Sequence, residues 1–403
     1  MPHFIEEQCR VESVPLSLSS NGYEEKVQSV ANRLKLLLHE GPAIYAQSGG
    51  IFPSDLIAEF ETSSRSSPLT QLGENGLGPE YPGWPEEHPL DFDWRFERAT
   101  AQRIATLAAR FGRALCLGTP TVYHHLRKLD CETILVDRNP CLSEAFNHEH
   151  SLLFKDIDYL SAADMGPHFD VVIIDPPWYL DRFMRWIAIG ARYVELGGTL
   201  LLTRFPPLVR STAAQEWDQI YAFLQTLGPV CELQPDVIYR TPSFEQATFD
   251  LLGLGHIPYW RRATLVSVRI LQRPDSDITV MKDRSARGLW RRFRIGTQVI
   301  AIKESEPIAE DGNFAFEPVS SSRNGNLVLS TVSGRYVGRP EIDFWTSRNA
   351  AGRLRGHSLA IAFFDFLEAG VAVPEAACLA AGDNLEVRES LLAFASSLRC
   401  MEA

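Results

Sequence analysis

Four consecutive residues, Asp175, Pro176, Pro177 and Trp178, have the right types to hold a planar amine and aim its lone pair. In such an amine, the exocyclic N6 of adenine for example, the lone pair is delocalised into the ring. Acceptors that take both N–H groups pull the nitrogen towards tetrahedral geometry. Asp175 offers a side-chain acceptor. The Pro176 carbonyl offers a second, aimed by the Pro177 ring, which also restricts Pro176 to extended dihedrals. Trp178 adds a π-face on which a base can stack, worth roughly 1–3 kcal/mol. A base inside a duplex would have to be flipped out to reach such a pocket. The same residues also suit a lysine amine, with an ionised Asp175 orienting it and an aromatic lining the channel around its stem. A proline-stiffened strand end with a core Trp is the structural alternative.

The tetrapeptide needs a rigid support. Val171–Ile174, with Phe169 before them, are five apolar residues that read as a buried strand, and ligands of open α/β sheets sit outside the carboxyl ends of the strands. Upstream, Arg113–Leu117 is an apolar strand ending in Gly118-Thr119-Pro120, followed by a helix over Val122–Leu129. Thr133–Asp137 is a second strand and Ser151–Phe154 a third, followed by Asp156. Downstream come a helix over Asp181–Glu195, a strand over Thr199–Thr203 and a helix over Ala213–Leu227. Two extended segments, Val230–Tyr239 and Thr264–Leu271, close the run, with no helix expected between them. Alternating strands and helices predict a mostly parallel sheet, and the last two segments suit an edge hairpin. Asp137 stands 19 residues after Gly118, where an acid accepts hydrogen bonds from ribose hydroxyls in a Rossmann-like sheet. A helix N-cap is its plainer role. Asp156 is placed to bind a cofactor's adenine. The first loop, Cys116 to Tyr123, has one glycine and one proline in place of a G-x-G pattern, which fits a nucleoside cofactor better than a pyrophosphate.

Gly118-Thr119-Pro120-Thr121-Val122-Tyr123, then Leu126, then Thr133–Pro140 (TILVDRNP), then Phe169–Trp178 (FDVVIIDPPW) resemble the N6-adenine methyltransferase family. The two main motifs occur in the right order, about 50 residues apart. The resemblance spans residues 94–272. It implies an α/β fold with a class I, Rossmann-like methyltransferase sheet and S-adenosylmethionine as cofactor. Gly118, Thr119, Pro120, Asp137 and Asp156 would then contact the cofactor, and Asp175 to Trp178 the target amine. Family members methylate an adenine in ribosomal RNA or a lysine in a translation elongation factor. Two features depart from the pattern. The aromatic is Trp, as in messenger-RNA adenine methyltransferases, where Phe or Tyr is usual in this family. The zinc-binding modules of the ribosomal-RNA members are absent.

Composition bounds the rest. A 45% hydrophobic fraction over 403 residues supports a sizeable core and two or three domains. No apolar run long enough to cross a membrane occurs, and no signal peptide is evident. The 7 cysteines, odd in number and without a CxxC pair, argue for a reducing, cytoplasmic setting. Residues 1–61 form a helical N-terminal segment, with helices expected over Tyr23–Glu40 and Ser54–Phe60. Residues 62–93 read as a linker or long loop, 94–272 as the methyltransferase-like domain and 278–403 as a mixed α/β appendage. In that appendage 298–302 and 327–332 read as extended, 305–326 as loop, and 356–369 and 384–398 as helices. Net charge is -12, yet Met281–Ile295 is basic, and Trp290, Arg291 and Arg292 suit nucleic acid there. A solvated face pairing with acids elsewhere is the alternative. Arg204, at the end of the fifth strand, suits phosphate or an acidic partner, or a surface salt bridge. Tyr239–Glu245 is an edge loop and a weaker candidate for a place near the site. Asp91–Phe96, before the first core helix, is placed to cover the cofactor, with Trp94 and Phe96 expected to pack. His124, His125, His148 and His150 lack a further ligand set and read as solvent-facing. The function expected is N-methylation of an adenine amine in DNA or RNA. The alternatives are lysine N-methylation and a silent binding module that has kept the sheet.

Overall fold

The computed structural model describes residues 81–146, 152–154, 160, 169–206, 209–210, 212–251, 261–274, 289–304, 313–319 and 338–398. The expected helices over 23–40 and 54–60, Asp156, His148, His150, residues 281–288 and the segment 327–332 lie outside them.

Residues 98–269 build an α/β unit. Its elements are α1 (Arg98–Ala108), β1 (Ala114–Leu117), α2 (Pro120–Lys128), β2 (Thr133–Asp137), α3 (Leu142–Ala145), β3 (Leu152–Phe154), β4 (Phe169–Ile174), α4 (Leu180–Tyr193), β5 (Val194–Arg204), α5 (Ala213–Leu227), β6 (Val230–Ile238), α6 (Ser243–Leu251) and β7 (Arg262–Arg269). The strand order is β3-β2-β1-β4-β5-β7-β6. The first five strands are parallel, and β7 runs antiparallel to both neighbours. Helix α6 corrects the expectation of a helix-free connection between the last two extended segments. It starts right after Pro242, whose carbonyl accepts from the Glu245 and Gln246 amides, both at 3.0 Å.

The pleat explains the apolar run of β4. Val172 and Ile174 face one cluster, with Ile187 of α4 and Leu224 of α5. Val171 and Ile173 face the other, with Ile104 of α1 and Leu126 of α2. A parallel strand covered on both faces cannot alternate apolar with polar residues. Helix α1 starts where Glu97 accepts hydrogen bonds from the Ala99 and Thr100 amides, both at 2.8 Å.

A second sheet follows, with β8 (Trp290–Ile295), β9 (Gln298–Lys303), β10 (Ala315–Pro318), β11 (Phe344–Thr346) and β12 (Ala351–Arg355) in the order β10-β12-β11-β9-β8, every pair antiparallel. Helices α7 (His357–Glu368), α8 (Val373–Ala381) and α9 (Leu385–Ser397) cover one face through Phe363, Phe364 and Phe394, which meet Phe293, Ile302 and Phe344. Strands β8, β11 and β12 and helix α8 were not expected, and β10 falls in the stretch 305–326 expected to be loop.

Residues 81–96 form a strap between the two sheets. Leu90 packs with Ala301, Ile342 and Trp345 on the open face of the second sheet. Tyr81, Trp84 and Phe96 pack on the first unit. His88 Nδ1 accepts from the Leu90 amide at 3.1 Å, so Nε2 carries the proton and donates to the Trp345 carbonyl at 3.1 Å. Burial pushes the His88 pKa down to about 4, which keeps the ring in this neutral form. Arg339 caps the strap by donating to the Pro89 and Leu90 carbonyls. The end of the expected linker is therefore packed structure. Its prolines and glycine suit a chain that crosses between units without joining a sheet.

Gly228 ends α5 at φ +155°, and a Cβ there would lie 1.9 Å from the Arg269 carbonyl oxygen. Gly228→Ala is expected to cost more than about 2 kcal/mol, because backbone must move on both sides. A lowered urea midpoint would show it.

Candidate active site

Strand register lines up the site. Leu117 pairs with Val136 and with Ile174, and Ile174 pairs with Leu202. The next residue on each strand therefore stands in one row along the carboxyl edge: Asp137, Gly118, Asp175 and Thr203. Gly118 takes φ +61°, and its amide bonds the Val136 carbonyl at 2.9 Å. A Cβ at Gly118 would meet the Trp186 ring of α4 at 2.9 Å, so this turn has no room for a side chain. Pro120 opens α2 at its first turn, where the missing N–H costs nothing, and Thr119 is the N-cap residue.

Asp175 is half-buried, and its Oδ1 takes two donors. Thr203 Oγ1 donates at 2.5 Å and the Tyr239 hydroxyl at 2.7 Å. Oδ2 takes neither. Burial pushes the Asp175 pKa up to about 7, and the two hydrogen bonds and Arg261 oppose that rise. Burial also holds the Tyr239 hydroxyl well above its ordinary pKa, so it stays a neutral donor. The Tyr179 amide bonds the Pro177 carbonyl at 2.6 Å and closes the turn before α4.

Trp178 is half-buried. The Tyr239 ring meets it edge-on at 5.9 Å and Phe205 lies at 6.3 Å. The Arg261 guanidinium sits 4.8 Å from its ring centre and 4.5 Å from that of Trp94. Glu245 Oε1 fixes this pair by accepting from Arg261 Nη2 at 2.6 Å and Trp94 Nε1 at 2.9 Å. Sequence reasoning missed Thr203, Tyr239, Glu245 and Arg261 as parts of the site. Tyr239 and Glu245 belong to the edge loop, a weaker candidate without assigned roles, and Thr203 ends the fifth strand. Arg261 carried no sequence signal.

Asp137 accepts from the Asn139 amide at 2.8 Å. Burial pushes its pKa up to about 7, and the strap acids Asp93 and Asp91 push it the same way. Asp93 is itself raised to about 6, by burial first and by Glu87, against Arg95. Arg95 grips it with Nε at 3.2 Å and Nη2 at 2.8 Å. Three buried polar atoms nearby in sequence have no hydrogen-bond partner, Thr119 Oγ1 before α2, Thr121 Oγ1 on α2 and Asn139 Nδ2 after β2.

The basic run behaves differently from the expectation, because β8 is a strand and its side chains alternate. Arg291 pairs with Asp365 on α7, and Phe293 is buried in the core beneath. Arg292 pairs with Asp91 of the strap, and Arg294 pairs with Glu144 of α3. Trp290 packs beside Leu90 and Trp345. Among the described residues 289–294, then, the arginines are engaged within the protein, and the expected face with rings interleaved for bases is not formed. Arg204 pairs with Glu232 and lies 5.1 Å from the Trp217 ring centre. His125 is buried within 3.4 Å of the Tyr81 hydroxyl and His124 packs against Tyr81 and Trp84, which corrects their solvent-facing assignment. Among the described residues no group of metal-binding side chains occurs, and no helix is long and apolar enough to cross a membrane.

The strand order with its reversed β7 defines the class I, Rossmann-like methyltransferase fold. Residues 92–237 match the family described as "Probable N6-adenine methyltransferase", as the loop and tetrapeptide motifs implied. No curated protein matches the chain. Among solved structures, a branched-chain polyamine synthase of Thermus thermophilus is similar at 16% identity and TM-score 0.38, over 48% of this chain and 61% of that one. This chain thus spans less than two thirds of that protein. The N-methyltransferase NodS of Bradyrhizobium japonicum is similar at 14% identity and TM-score 0.28, over 43% and 88%. A 16S rRNA N2 methyltransferase of Thermus thermophilus is similar at 14% and TM-score 0.29, over 52% and 47%.

The folded pKa of Asp175, about 7, lies above the ordinary carboxylate value. The folded state therefore holds this proton more tightly than the unfolded chain, and ionising Asp175 erodes stability as pH rises from roughly 4 towards 7. Asn in its place can still accept from Thr203 and Tyr239 and carries no charge. Asp175→Asn is expected to raise the melting temperature, with a larger gain at pH 8 than at pH 5. Calorimetry at the two pH values checks this.

Proposed function

We propose that this protein is an S-adenosylmethionine-dependent N-methyltransferase whose target is an adenine N6 amine in DNA or RNA. The observation that carries this reading is the Asp175 carboxylate, with two neutral donors fixed on Oδ1 and Oδ2 left to accept an amine N–H. The family match over residues 92–237 supports the choice of amine. Asp137, Asn139 and the loop Gly118-Thr119-Pro120 would hold the cofactor, which supplies an electrophilic methyl group when bound. Asp156, outside the described residues, is the proposed partner of its adenine. Asp175 and the Pro176 carbonyl, aimed by Pro177, orient the target nitrogen. Trp178, steadied by Arg261 and Tyr239, packs against the ring that bears it. Orientation and exclusion of water account for the rate, with no strong general base required. The protein would work in the cytoplasm.

A lysine amine in a protein is the second reading. It is supported by the pairing of Arg291, Arg292 and Arg204 with Asp365, Asp91 and Glu232, which already offsets their charge within the protein. A module with no activity would bind no cofactor at all.

Incubation with labelled cofactor and either nucleic acid or cell protein separates the readings. Label in nucleic acid, lost on nuclease treatment, is expected; label confined to protein bands would sink the adenine assignment. Asp175→Ala should abolish transfer while leaving cofactor affinity within about threefold, since Asp175 is placed on the amine side. If an ionised Asp175 is the acceptor, transfer rises as pH passes about 7. Tyr239→Phe removes a donor that favours the charged form, so its acid limb should move to higher pH. A limb that stays put or moves down would separate Asp175 from the pH dependence.

A further inference from the structure

The strap carries an acid that the site as described does not use. Asp91 Oδ1 is held by two arginines, Arg292 from β8 and Arg138, the residue after Asp137, with Arg138 Nε at 3.3 Å. Asp91 Oδ2 is buried and has no hydrogen-bond partner, in a side chain only 2% exposed. Burial would push its pKa up, but Arg292, Arg138 and His88 outweigh that and hold it below the usual carboxylate range. An ionised oxygen sealed from water without a donor is costly, and such atoms in folded proteins generally have a partner. Asp91 and Asp93 both act electrostatically on Asp137, and Asp93 acts on Asp175 as well. Asp91 and Asp93 thus add their negative charge to that of the strand-end carboxylates. A ligand that satisfies them brings N–H or O–H donors and positive charge.

Resting on the methyltransferase reading, we propose that the strap is the third wall of the cofactor site. Asp91 Oδ2 accepts from a donor of the cationic nucleoside, a ribose hydroxyl or the ammonium of its amino-acid arm. Arg292 is a positioning residue: it reaches from the second sheet to hold Asp91 in place, so the C-terminal domain completes a site that the first unit only begins. Arg292 lies outside the family match, and so does Asp91. The arginine that looked like a phosphate contact becomes part of a clasp.

Calorimetry with S-adenosylhomocysteine and with adenosine, on the full chain, tests this. Asp91→Asn is expected to weaken S-adenosylhomocysteine by at least about tenfold, the scale of a hydrogen bond to a charged group. Equal weakening of adenosine points to a ribose hydroxyl, and undiminished adenosine binding points to the ammonium; either supports the proposal. Arg292→Met should weaken binding similarly, and Arg292→Lys should restore part of it. A purely structural clasp would lower the melting temperature of these variants without changing affinity, and that result overturns the proposal. Should the variants fail to fold, wild type decides: added amide protection over residues 88–96 on ligand binding is expected. Its absence overturns the strap's role. Wild type that binds no S-adenosylhomocysteine would instead defeat the methyltransferase reading itself.

Discussion

Burying carboxylates at the carboxyl edge of a parallel sheet is expensive, and the rest of the structure is arranged around that cost. Asp175, Asp137 and Asp93 are all pushed towards neutrality by lost hydration. Each is then partly rescued by a fixed donor: Thr203 and Tyr239 at Asp175, the Asn139 amide at Asp137, and Arg95 at Asp93. The balance leaves all three close to the pH of the cell, where a small change in surroundings decides their charge. Such groups are poor contributors to stability and good ones to recognition.

The donors come from far along the chain. Tyr239 follows β6, Arg261 precedes β7, and Glu245 lies on α6 and ties Arg261 to Trp94. The edge hairpin and the helix inserted in it thus supply a second layer behind Asp175 and Trp178. On the opposite flank the strap and the second sheet supply Asp93, Arg95 and Arg292. The two flanks meet at Asp93, whose field reaches both Asp137 and Asp175.

Where a single element decides the pattern, the sequence is readable. Val171–Ile174 is an unbroken apolar run because helices cover both faces of β4, and that same burial marks Asp175 as the first polar residue at its tip. Gly118 and Pro120 are legible through backbone chemistry, a left-handed turn and a helix start. What stayed hidden depends on contacts between distant segments. Tyr239 and Asp175 are 64 positions apart. The basic run misleads for another reason: a count of arginines ignores the pleat, which sends Arg292 to the strap and Arg291 to α7. The strap reads as a linker because its prolines and glycines signal irregular backbone, and irregular backbone can be packed as firmly as a helix.

His88 donates to a carbonyl 257 residues further on, and Arg339 grips the strap from 250 positions away. Contacts of that span cannot form until almost the whole chain has left the ribosome. The first sheet can assemble early from strands and helices near one another, whereas the strap waits for β11 and the stretch before it. A chain interrupted near residue 275 would therefore hold a complete seven-stranded sheet with Tyr81, Trp84 and Phe96 packed on it, but neither the Trp345 carbonyl nor Arg339 to fix His88, Pro89 and Leu90. The protein's own synthesis sets an order in which the middle of the strap is the last part to be fixed.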